Sequence, residues 1–327
     1  MTFFQALRLH FLGPVFGLAC RVVSVFLPRS FAHLPYGRPV RLRVPTYAGW
    51  GQAVHPDVLT PDETGRPFVL AFTPYPFQIN SFENPSVAIS NDGLRFRAER
   101  KGINPLVPAP PVDHNDDPDI SRWEGRYYLY YLETLRPERQ NLVLLQSADR
   151  LSWTRKTVLT YDLNGTHPEP FIVSPSFSSR GEKLFLHYVN TSTRPNRIEF
   201  LTSKDPSAWE KSAARPALFN TLRLEPWHID IFEADGRSYM LLCAVSPGGE
   251  GAREYDLHIA RSDDLENWTP GVRPLFEKKP FRTRTIYRGS GFVRGGDLFA
   301  YFSYESPLLR ASWIGVVRNR LKEFFPE

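Results

Sequence analysis

The sequence contains few cysteines and no dense run of charge of one sign. Only Cys20 and Cys243 occur in 327 residues, which excludes a disulfide framework, and no Cys-x-x-Cys pair or cysteine–histidine cluster suggests a structural zinc site. Lysine and arginine number 40 against 35 aspartates and glutamates, and the basic residues are scattered along the chain. Because nucleic-acid binding would need a dense basic face, this class of partner is not expected.

Apolar residues make up 42% of the chain, so it can bury a sizeable core. Length alone suggests two or three domains, but repeat folds of this length often form one unit. We interpret residues 1–37 as an apolar N-terminal segment and residues 38–327 as the folded unit.

The N-terminal segment contains an apolar stretch from Phe11 to Leu27 that Pro14 and Arg21 interrupt. Its length is near the lower limit for a membrane span, and the arginine argues against one. As a signal peptide it would have a weakly basic start, with only Arg8. Three interpretations stay open: an export signal, a membrane anchor, and a packed or interfacial amphipathic helix. The location therefore also stays open, either exported or membrane-attached, or cytoplasmic.

Four short strings share the pattern Ser-x-Asp-x-x-x-aromatic at nearly constant spacing. Their aromatic residues stand at positions 96, 153, 209 and 268, so successive copies are 57, 56 and 59 residues apart. Four copies at one period indicate an internal repeat, where a single copy would be weak evidence. Each string is interpreted as a turn in which the serine and aspartate side chains bond nearby backbone N–H groups and the aromatic residue packs underneath. The strings are SNDGLRF, SADRLSW, SKDPSAW and SDDLENW.

The segments between these turns are rich in aromatic and β-branched residues, as strands are. Five such segments each have a strand before and after them, which gives five repeats of three strands. The fifth repeat ends near Arg320, before a fourth strand, and VRLRV (Val40 to Val44) alternates as an edge strand should. The sequence therefore predicts an all-β fold, a five-bladed β-propeller whose ring is closed by this N-terminal strand. A β-sandwich or two stacked β domains are the alternatives.

The first strand of each propeller blade lines the central channel, so equivalent residues of the five first strands should meet at the axis. One row of equivalent residues contains Asp57, Asp119, Ser176, Asp230 and Gly291. A second row, two residues earlier on the same face, contains His55, Asp117, Ser174, His228 and Gly289. Strand interiors disfavour aspartate and converging carboxylates repel, so three aspartates at one axis indicate function. Capping of local turns is the structural alternative.

Converging carboxylates suit the hydrolysis of a glycosidic bond. One carboxylate attacks the sugar or activates water, while a carboxylic acid of raised pKa protonates the departing oxygen. Aromatic side chains near the channel mouth would stack on sugar faces, although each could equally pack in the core. The candidates are Tyr75, Trp123, Trp227 and Tyr287.

The string DDPDISRWEGRYYLYY of the second repeat resembles the inner-strand signature of the glycoside hydrolase family 43 arabinanases and xylosidases. HPDV in the first repeat is similar to the first catalytic strand of that group, which is related to the five-bladed family 32 invertases. The resemblance implies a propeller glycosidase in which Asp57 is the general base or nucleophile. It also implies that Asp119 holds the substrate and tunes the pKa of the acid.

The chain departs from the family at the third catalytic carboxylate. The family places an acid glutamate at the start of blade three, where this chain has Val173 in VSPSF. Glu169 in THPEPF is preferred as the acid, and Glu225 in LEPWHID is the second candidate. Asp117 or a histidine could also take this role.

Further polar residues are expected around the sugar at the channel mouth. The loop from Lys101 to Pro118 and the segment ENPSV should wall the site and bring His114 and Asn115 beside Asp117. No cofactor is expected, although His228 could hold a calcium ion on the axis. The residues assigned to substrate binding are His55, His114, Asp117, Glu225, Trp227, His228, Asp230 and Arg288.

The sequence thus predicts a glycoside hydrolase of the arabinofuranosidase, xylosidase or arabinanase type that acts on a polysaccharide or oligosaccharide. A catalytically silent glycan-binding propeller is one alternative, which Val173 at the acid position favours. A transglycosylase of polysaccharide assembly is another. The expected partner is a carbohydrate and not a nucleic acid, and residues 1–37 could contact a membrane.

Overall fold

The computed structural model describes residues 27–163, 171–220, 224–245, 254–283, 285–306 and 311–326. Within these ranges the chain forms β-strands joined by turns and by six short 3₁₀ turns. The strands form five antiparallel sheets arranged as the blades of a propeller, apart from one short parallel pair. The prediction of an all-β, five-bladed propeller is confirmed.

The strands follow the blades in chain order. Strand β1 (Val40–Arg41) precedes blade one, which contains β2 (Ala53–Leu59), β3 (Phe68–Pro74) and β4 (Ser86–Ser90). Blade two contains β5 (His114–Trp123), β6 (Arg126–Leu135), β7 (Arg139–Ser147) and β8 (Thr154–Asp162). Blade three contains β9 (Ile172–Arg180), β10 (Lys183–Asn190), β11 (Arg197–Ser203) and β12 (Arg215–Pro216). Blade four contains β13 (Leu218–Phe219), β14 (Glu225–Ala234), β15 (Arg237–Val245), β16 (Asp256–Ser262) and β17 (Asn267–Pro270). Blade five contains β18 (Ile286–Arg294), β19 (Asp297–Ser306) and β20 (Ala311–Arg320).

The N-terminal strand closes the ring as predicted. Strand β1 adds to blade five as its outermost strand, with Val40 opposite Val316. The pairing continues one residue further, because Leu42 N donates to Ile314 O at 2.9 Å. The first and last blades are therefore joined by backbone hydrogen bonds, and the propeller has no open seam there.

The core consists of five clusters of buried apolar side chains, each of which lies mainly between two neighbouring blades. Phe31 packs into the cluster between blades one and five, against Phe68, Phe292 and Phe299. The described part of the N-terminal segment thus belongs to the propeller core, while most of the apolar stretch lies outside the described residues. The boundary at residue 37 stays a prediction. No helix among the described residues is long and apolar enough to cross a membrane.

The four repeated turns have the predicted hydrogen bonds. In the fourth, Asp264 Oδ1 accepts from Glu266 N at 2.9 Å and Asn267 N at 2.7 Å, and Ser262 Oγ accepts from Leu265 N at 2.8 Å. Trp268 is fully buried beneath this turn. Each turn therefore follows the third strand of its blade and is held by one serine, one aspartate and one aromatic side chain.

Replacing Asp264 by alanine should lower the free energy of unfolding at pH 7 by about 1–2 kcal/mol, because two backbone N–H groups lose a charged acceptor. Hydrogen bonds from Asn267 and Glu266 outweigh burial and lower the pKa of Asp264 to about 2. A folded-state pKa below the unfolded value of about 4 stabilises the fold above that pH, and this stabilisation is lost as the pH falls towards 2. Urea denaturation should therefore show the two proteins converging in acid. Asp263→Ala is the control, and an equal loss at pH 7 for both substitutions would contradict the role of the turn.

Candidate active site

The mouth of the central channel is shaped by irregularities in the inner strands. Each of β2, β5, β9, β14 and β18 shifts register against its neighbour near its start. At this point His55, Asp117 and Ser174 have positive φ angles of 53°, 48° and 55°. Residues other than glycine rarely adopt this conformation, which tends to occur at functional sites. The bulges place the side chains of His55 and Asp117 towards the axis.

Two clusters of polar side chains lie at the axis, one above the other. His55, Asp117 and His228 form the upper cluster, and Asp57, Asp119 and Asp230 form the lower cluster. Within each cluster, the nearest nitrogen and oxygen atoms all lie within 4.8 Å of one another. The alignment of the inner strands therefore predicted both sets correctly. The upper cluster lines a cavity of about 340 Å³, and the lower cluster does not.

The lower cluster joins the blades to one another. Asp57 Oδ2 accepts a hydrogen bond from Ile120 N of the next blade. Asp119 Oδ2 accepts in the same way from Phe177 N at 3.0 Å, and the equivalent Ser176 accepts from Ile231 N at 2.9 Å. These contacts give Asp57 and Asp119 a structural role. Neither residue lines the cavity, and the catalytic role assigned to them stays a prediction.

Blade five departs from the predicted rows by one residue. Ser290, and not Gly291, faces the axis, where Ser290 Oγ donates to Asp57 Oδ1 at 2.9 Å and accepts from Val58 N at 2.9 Å. Arg288 takes the place expected for Gly289. The two glycines face blade four, where a Cβ on Gly289 would lie 2.8 Å from Leu257. Since side chains alternate along a strand, a one-residue shift exchanges the two faces.

Asp117 is the centre of the upper cluster. Its Oδ2 accepts from Ser174 N at 2.8 Å, while its Oδ1 lies 3.5 Å from His55 Nε2 and 3.3 Å from His228 Nδ1. Arg288 is fully buried below the cluster, and its Nη1 donates to Asp117 Oδ1 at 3.3 Å. Asp117 is thereby fixed from two sides, with one oxygen directed at both imidazoles.

Three ring nitrogens of the upper cluster make no aligned hydrogen bond to a described residue. His55 Nδ1 lies 3.0 Å from Thr73 Oγ1, which orients the ring. His55 Nε2 and both ring nitrogens of His228 are buried and make no aligned hydrogen bond to any described residue. Buried polar atoms are rarely left in this state without a water, an ion or a ligand as partner.

Burial and charge set the protonation of the upper cluster. Burial lowers the pKa of His55 to about 3, so this imidazole is neutral and keeps a lone pair. Burial alone would raise the pKa of Asp117, but His228, His55 and Arg288 outweigh it and hold this pKa well below its ordinary value. The neutral imidazole of His55 and the ionised carboxylate of Asp117 are in the forms that bind a metal ion.

Glu83 and His114 stand in the cavity wall beside the upper cluster. Glu83 Oε2 lies 3.6 Å from His55 Nδ1, and burial raises the pKa of Glu83 to about 8. His114 lies between Asp113 and Asp116, and these carboxylates outweigh burial and raise its pKa to about 11. The wall therefore presents a carboxyl group able to exchange a proton near neutral pH and an imidazolium of fixed charge.

The other predicted site residues have mixed locations. Tyr75, Trp227 and Tyr287 line the cavity, and Trp227 Nε1 donates to Tyr287 Oη at 3.2 Å. Trp123 lies at the far end of β5 against Tyr128, so its expected place at the mouth was wrong. Neither Glu225 nor Asn115 lines the cavity: Glu225 accepts from Asn196 N at 3.4 Å, and Asn115 donates to Asn84. Glu169 lies outside the described residues.

Sequence reasoning missed several lining residues, namely Glu83, Asp116, Tyr255 and Tyr304. Glu83 belongs to the segment ENPSV, which was expected to wall the site, but one glutamate before a proline carries no catalytic signal. Asp116 precedes Asp117 in the string DDPDI, and strand alternation directed attention to Asp117 alone.

The fold and the cavity define a five-bladed propeller with a histidine–aspartate site at its mouth. No family model matches the chain. An A type blood N-acetyl-alpha-D-galactosamine deacetylase of Flavonifractor plautii is 38% identical over 301 residues. This alignment covers 75% of this chain but only 38% of the relative, so the chain spans about two fifths of the relative's length.

The solved structures with similar folds include one deacetylase and several glycosidases. An N-acetylgalactosamine deacetylase from F. plautii, in complex with blood group B trisaccharide, has a TM-score of 0.75 and 20% identity over 88% of this chain and 96% of that chain. A thermostable family-43 glycoside hydrolase has a TM-score of 0.59 and 13% identity over 82% and 89%. The alpha-L-arabinanase of Cellvibrio cellulosa has a TM-score of 0.56 and 12% identity over 82% and 91%. The resemblance to the family-43 propellers is therefore confirmed as a likeness of fold.

The interpretation of the chain as an O-glycosidase was wrong. The curated relative and the structure with a TM-score of 0.75 are both named as N-acetylgalactosamine deacetylases, which hydrolyse an amide and not a glycosidic bond. The cavity differs from the predicted site, because Asp57 and Asp119 lie below it and the side chains that converge at its base are two imidazoles and one carboxylate. The glycan-binding and transglycosylase alternatives stay predictions.

Proposed function

We propose that this protein removes the acetyl group from an N-acetylated amino sugar, with a divalent cation held by His55, Asp117 and His228. The observation that carries the proposal is the convergence of these three side chains in the cavity, where His55 Nε2 and both ring nitrogens of His228 make no aligned hydrogen bond to a described residue. The deacetylase relative supports the choice of an amide as the bond that is cleaved.

The donor set suits a transition-metal dication. Two imidazoles and one carboxylate are a common set in catalytic zinc sites, which keep a further position for water or substrate. Calcium prefers six to eight oxygen ligands, so the upper cluster fits Zn²⁺ or Mn²⁺ better than the calcium ion considered for His228. When bound, such an ion would polarise the acetyl carbonyl and lower the pKa of a water molecule.

The residues of the wall supply proton transfer. Hydrolysis forms a bond between water oxygen and the acetyl carbon, breaks the bond from that carbon to the sugar nitrogen, and moves one proton from water to the leaving amine. Glu83 is placed to accept this proton and return it, because it lies beside His55 and its pKa is close to neutral pH. The fixed positive charge of His114 would stabilise the negative charge that develops on the carbonyl oxygen.

Aromatic side chains form the sugar-binding part of the cavity. Trp227 stacks on Tyr255 with ring centroids 6.0 Å apart, and Tyr287 and Tyr75 complete this wall. Aromatic faces of this kind pack against the apolar faces of sugar rings. The volume of about 340 Å³ lies at the small end of ligand sites, so we expect one amino-sugar unit to enter.

A release assay tests the proposal. The purified chain would be stripped with a chelator, reloaded with Zn²⁺, Mn²⁺ or Co²⁺, and incubated with N-acetylgalactosaminides and N-acetylglucosaminides. We expect acetate and free amine in equal amounts, only when a cation is present. The exposed His33→Ala is the control variant. Absence of acetate with a cation bound, or release of reducing sugar instead, would contradict the proposal.

A further inference from the structure

The aromatic wall of the cavity continues outside the cavity at Phe281. The ring of Phe281 stacks on that of Tyr304, with centroids 4.4 Å apart and an angle of 20° between the ring planes. Tyr304 is buried and lines the cavity, whereas Phe281 does not line it and is 43% exposed. Because the two rings are nearly parallel, Tyr304 covers one face of Phe281 and the opposite face is turned away from the wall. An exposed aromatic ring therefore lies one side chain away from the proposed active site.

The loop that carries Phe281 is attached to the wall of the cavity. Thr283, two residues later in the chain, is buried, and its Oγ1 lies 2.6 Å from Glu305 O and 2.8 Å from Thr285 O. Glu305 and Thr285 both line the cavity. These hydrogen bonds fix the position of Phe281 beside the mouth of the cavity.

The backbone of Phe281 adopts a conformation that is rare for a bulky residue. Its φ angle is 55° within the short 3₁₀ turn Pro280–Arg282. The turn Pro76–Gln78 has the same geometry, with a φ angle of 53° at Phe77. Phe77 is buried, with the ring of Trp50 at 6.4 Å, so burial of its side chain offsets the strain there. Phe281 has the same strained backbone but keeps an exposed ring, a combination that is typical of a residue that binds a ligand.

The size of the cavity indicates what this ring contacts. A volume of about 340 Å³ admits one amino-sugar unit, so the next unit of a longer glycan must lie outside, at the mouth. Sugar rings have an apolar face that packs against an aromatic ring, and Phe281 offers one such ring beside the wall. A protein partner would need roughly 800 Å² on each side, which a single exposed ring does not supply. A sugar is therefore the occupant that fits.

We propose that Phe281 forms a second sugar subsite, which binds the unit linked by a glycosidic bond to the N-acetylated sugar. This inference rests on the proposed function, since that function places the amino sugar in the cavity. It makes an oligosaccharide or the end of a glycan the preferred substrate, instead of a free N-acetylated monosaccharide. Phe281 determines specificity by binding the neighbouring unit and takes no part in the cleavage of the amide, which occurs at the upper cluster.

Matched substrates test the subsite. They are the methyl glycosides of N-acetylgalactosamine and N-acetylglucosamine, and disaccharides in which each amino sugar is linked to galactose. Phe281→Ala should lower kcat/KM for acetate release from the disaccharide about tenfold, which is the size of one aromatic stack, and leave the methyl glycosides unaffected. Phe281→Trp keeps a ring and should retain the preference for the disaccharide. Tyr36→Ala is the control, because Tyr36 is 44% exposed and contacts Asp297, which lies roughly 23 Å along β19 from Tyr304.

Calorimetric titration of the same sugars into the cation-free protein separates this inference from the proposed function. Weaker disaccharide binding by Phe281→Ala, in a protein that releases no acetate, would support the subsite and contradict the deacetylase. Acetate release with the same preference for the disaccharide in Phe281→Ala and the unchanged protein would overturn the subsite and leave the proposed function intact. Failure of the unchanged protein to prefer the disaccharide in either assay would also overturn the subsite. Phe281 and Tyr36 are at exposed positions, and circular dichroism would confirm that the three variants are folded.

Discussion

Asp117→Asn is expected to abolish cation binding in the cavity and to lower kcat/KM for acetate release on the order of 1000-fold. The substitution removes the only carboxylate of the upper cluster and leaves the buried Arg288 without its closest counter-charge. A catalytic metal contributes several kcal/mol to the transition state, which corresponds to a loss of this size. Cobalt absorption and calorimetric titration measure binding, and acetate release measures turnover.

Glu83→Gln separates the roles of ligand and proton carrier. The amide keeps the size of the side chain but cannot exchange a proton, so we expect bound cobalt to persist while turnover falls 100-fold or more, in the range of about 10²–10⁴ for general acid–base catalysis. His55→Gln and His228→Gln should instead behave as Asp117→Asn does. Full cobalt binding by Asp117→Asn, or full turnover by Glu83→Gln, would contradict the assignment.

The propeller could be predicted because its signal repeats. One Ser-x-Asp turn is weak evidence, but four copies at a constant period define the blade, and the alternating VRLRV supplies the closing strand. Strand alternation then brings His55, Asp117 and His228 to one axis without any knowledge of loops.

The sequence could not show in the same way which of the two clusters lines the cavity. Which of the two rows opens into the cavity depends on the bulges at the starts of the inner strands, and the positive φ of His55 and Asp117 leaves no mark in the sequence. The row of carboxylates suggested catalysis, but Asp57 and Asp119 accept hydrogen bonds from the next blade. Glu83 follows a loop in which Phe77 and Gln78 have positive φ angles. The position of its side chain in the cavity wall depends on how this loop folds against the blades, which the local sequence does not specify.

The second large effect is expected for the lower cluster and concerns stability. Asp119→Ala should lower the free energy of unfolding by about 3–4 kcal/mol, because the buried Phe177 N–H loses its acceptor and a cavity opens at the axis. Denaturant titration of both proteins at pH 7 measures this difference. Asp62→Ala, at a partly exposed carboxylate in a surface turn, provides a comparison that leaves the axis intact.

Asp119→Asn tests the protonation of this cluster. Burial, with Asp57 nearby, raises the pKa of Asp119 well above its ordinary value. A raised folded-state pKa favours the fold below the unfolded value of about 4, and that contribution is lost as the pH rises through the folded-state pKa. Asparagine keeps an oxygen for Phe177 N and has no proton to lose, so its stability relative to the unchanged protein should increase with pH. A relative stability that does not change with pH would contradict the raised pKa. Loss of all turnover in a stably folded Asp119→Asn protein would instead show that the carboxylate takes part in the reaction.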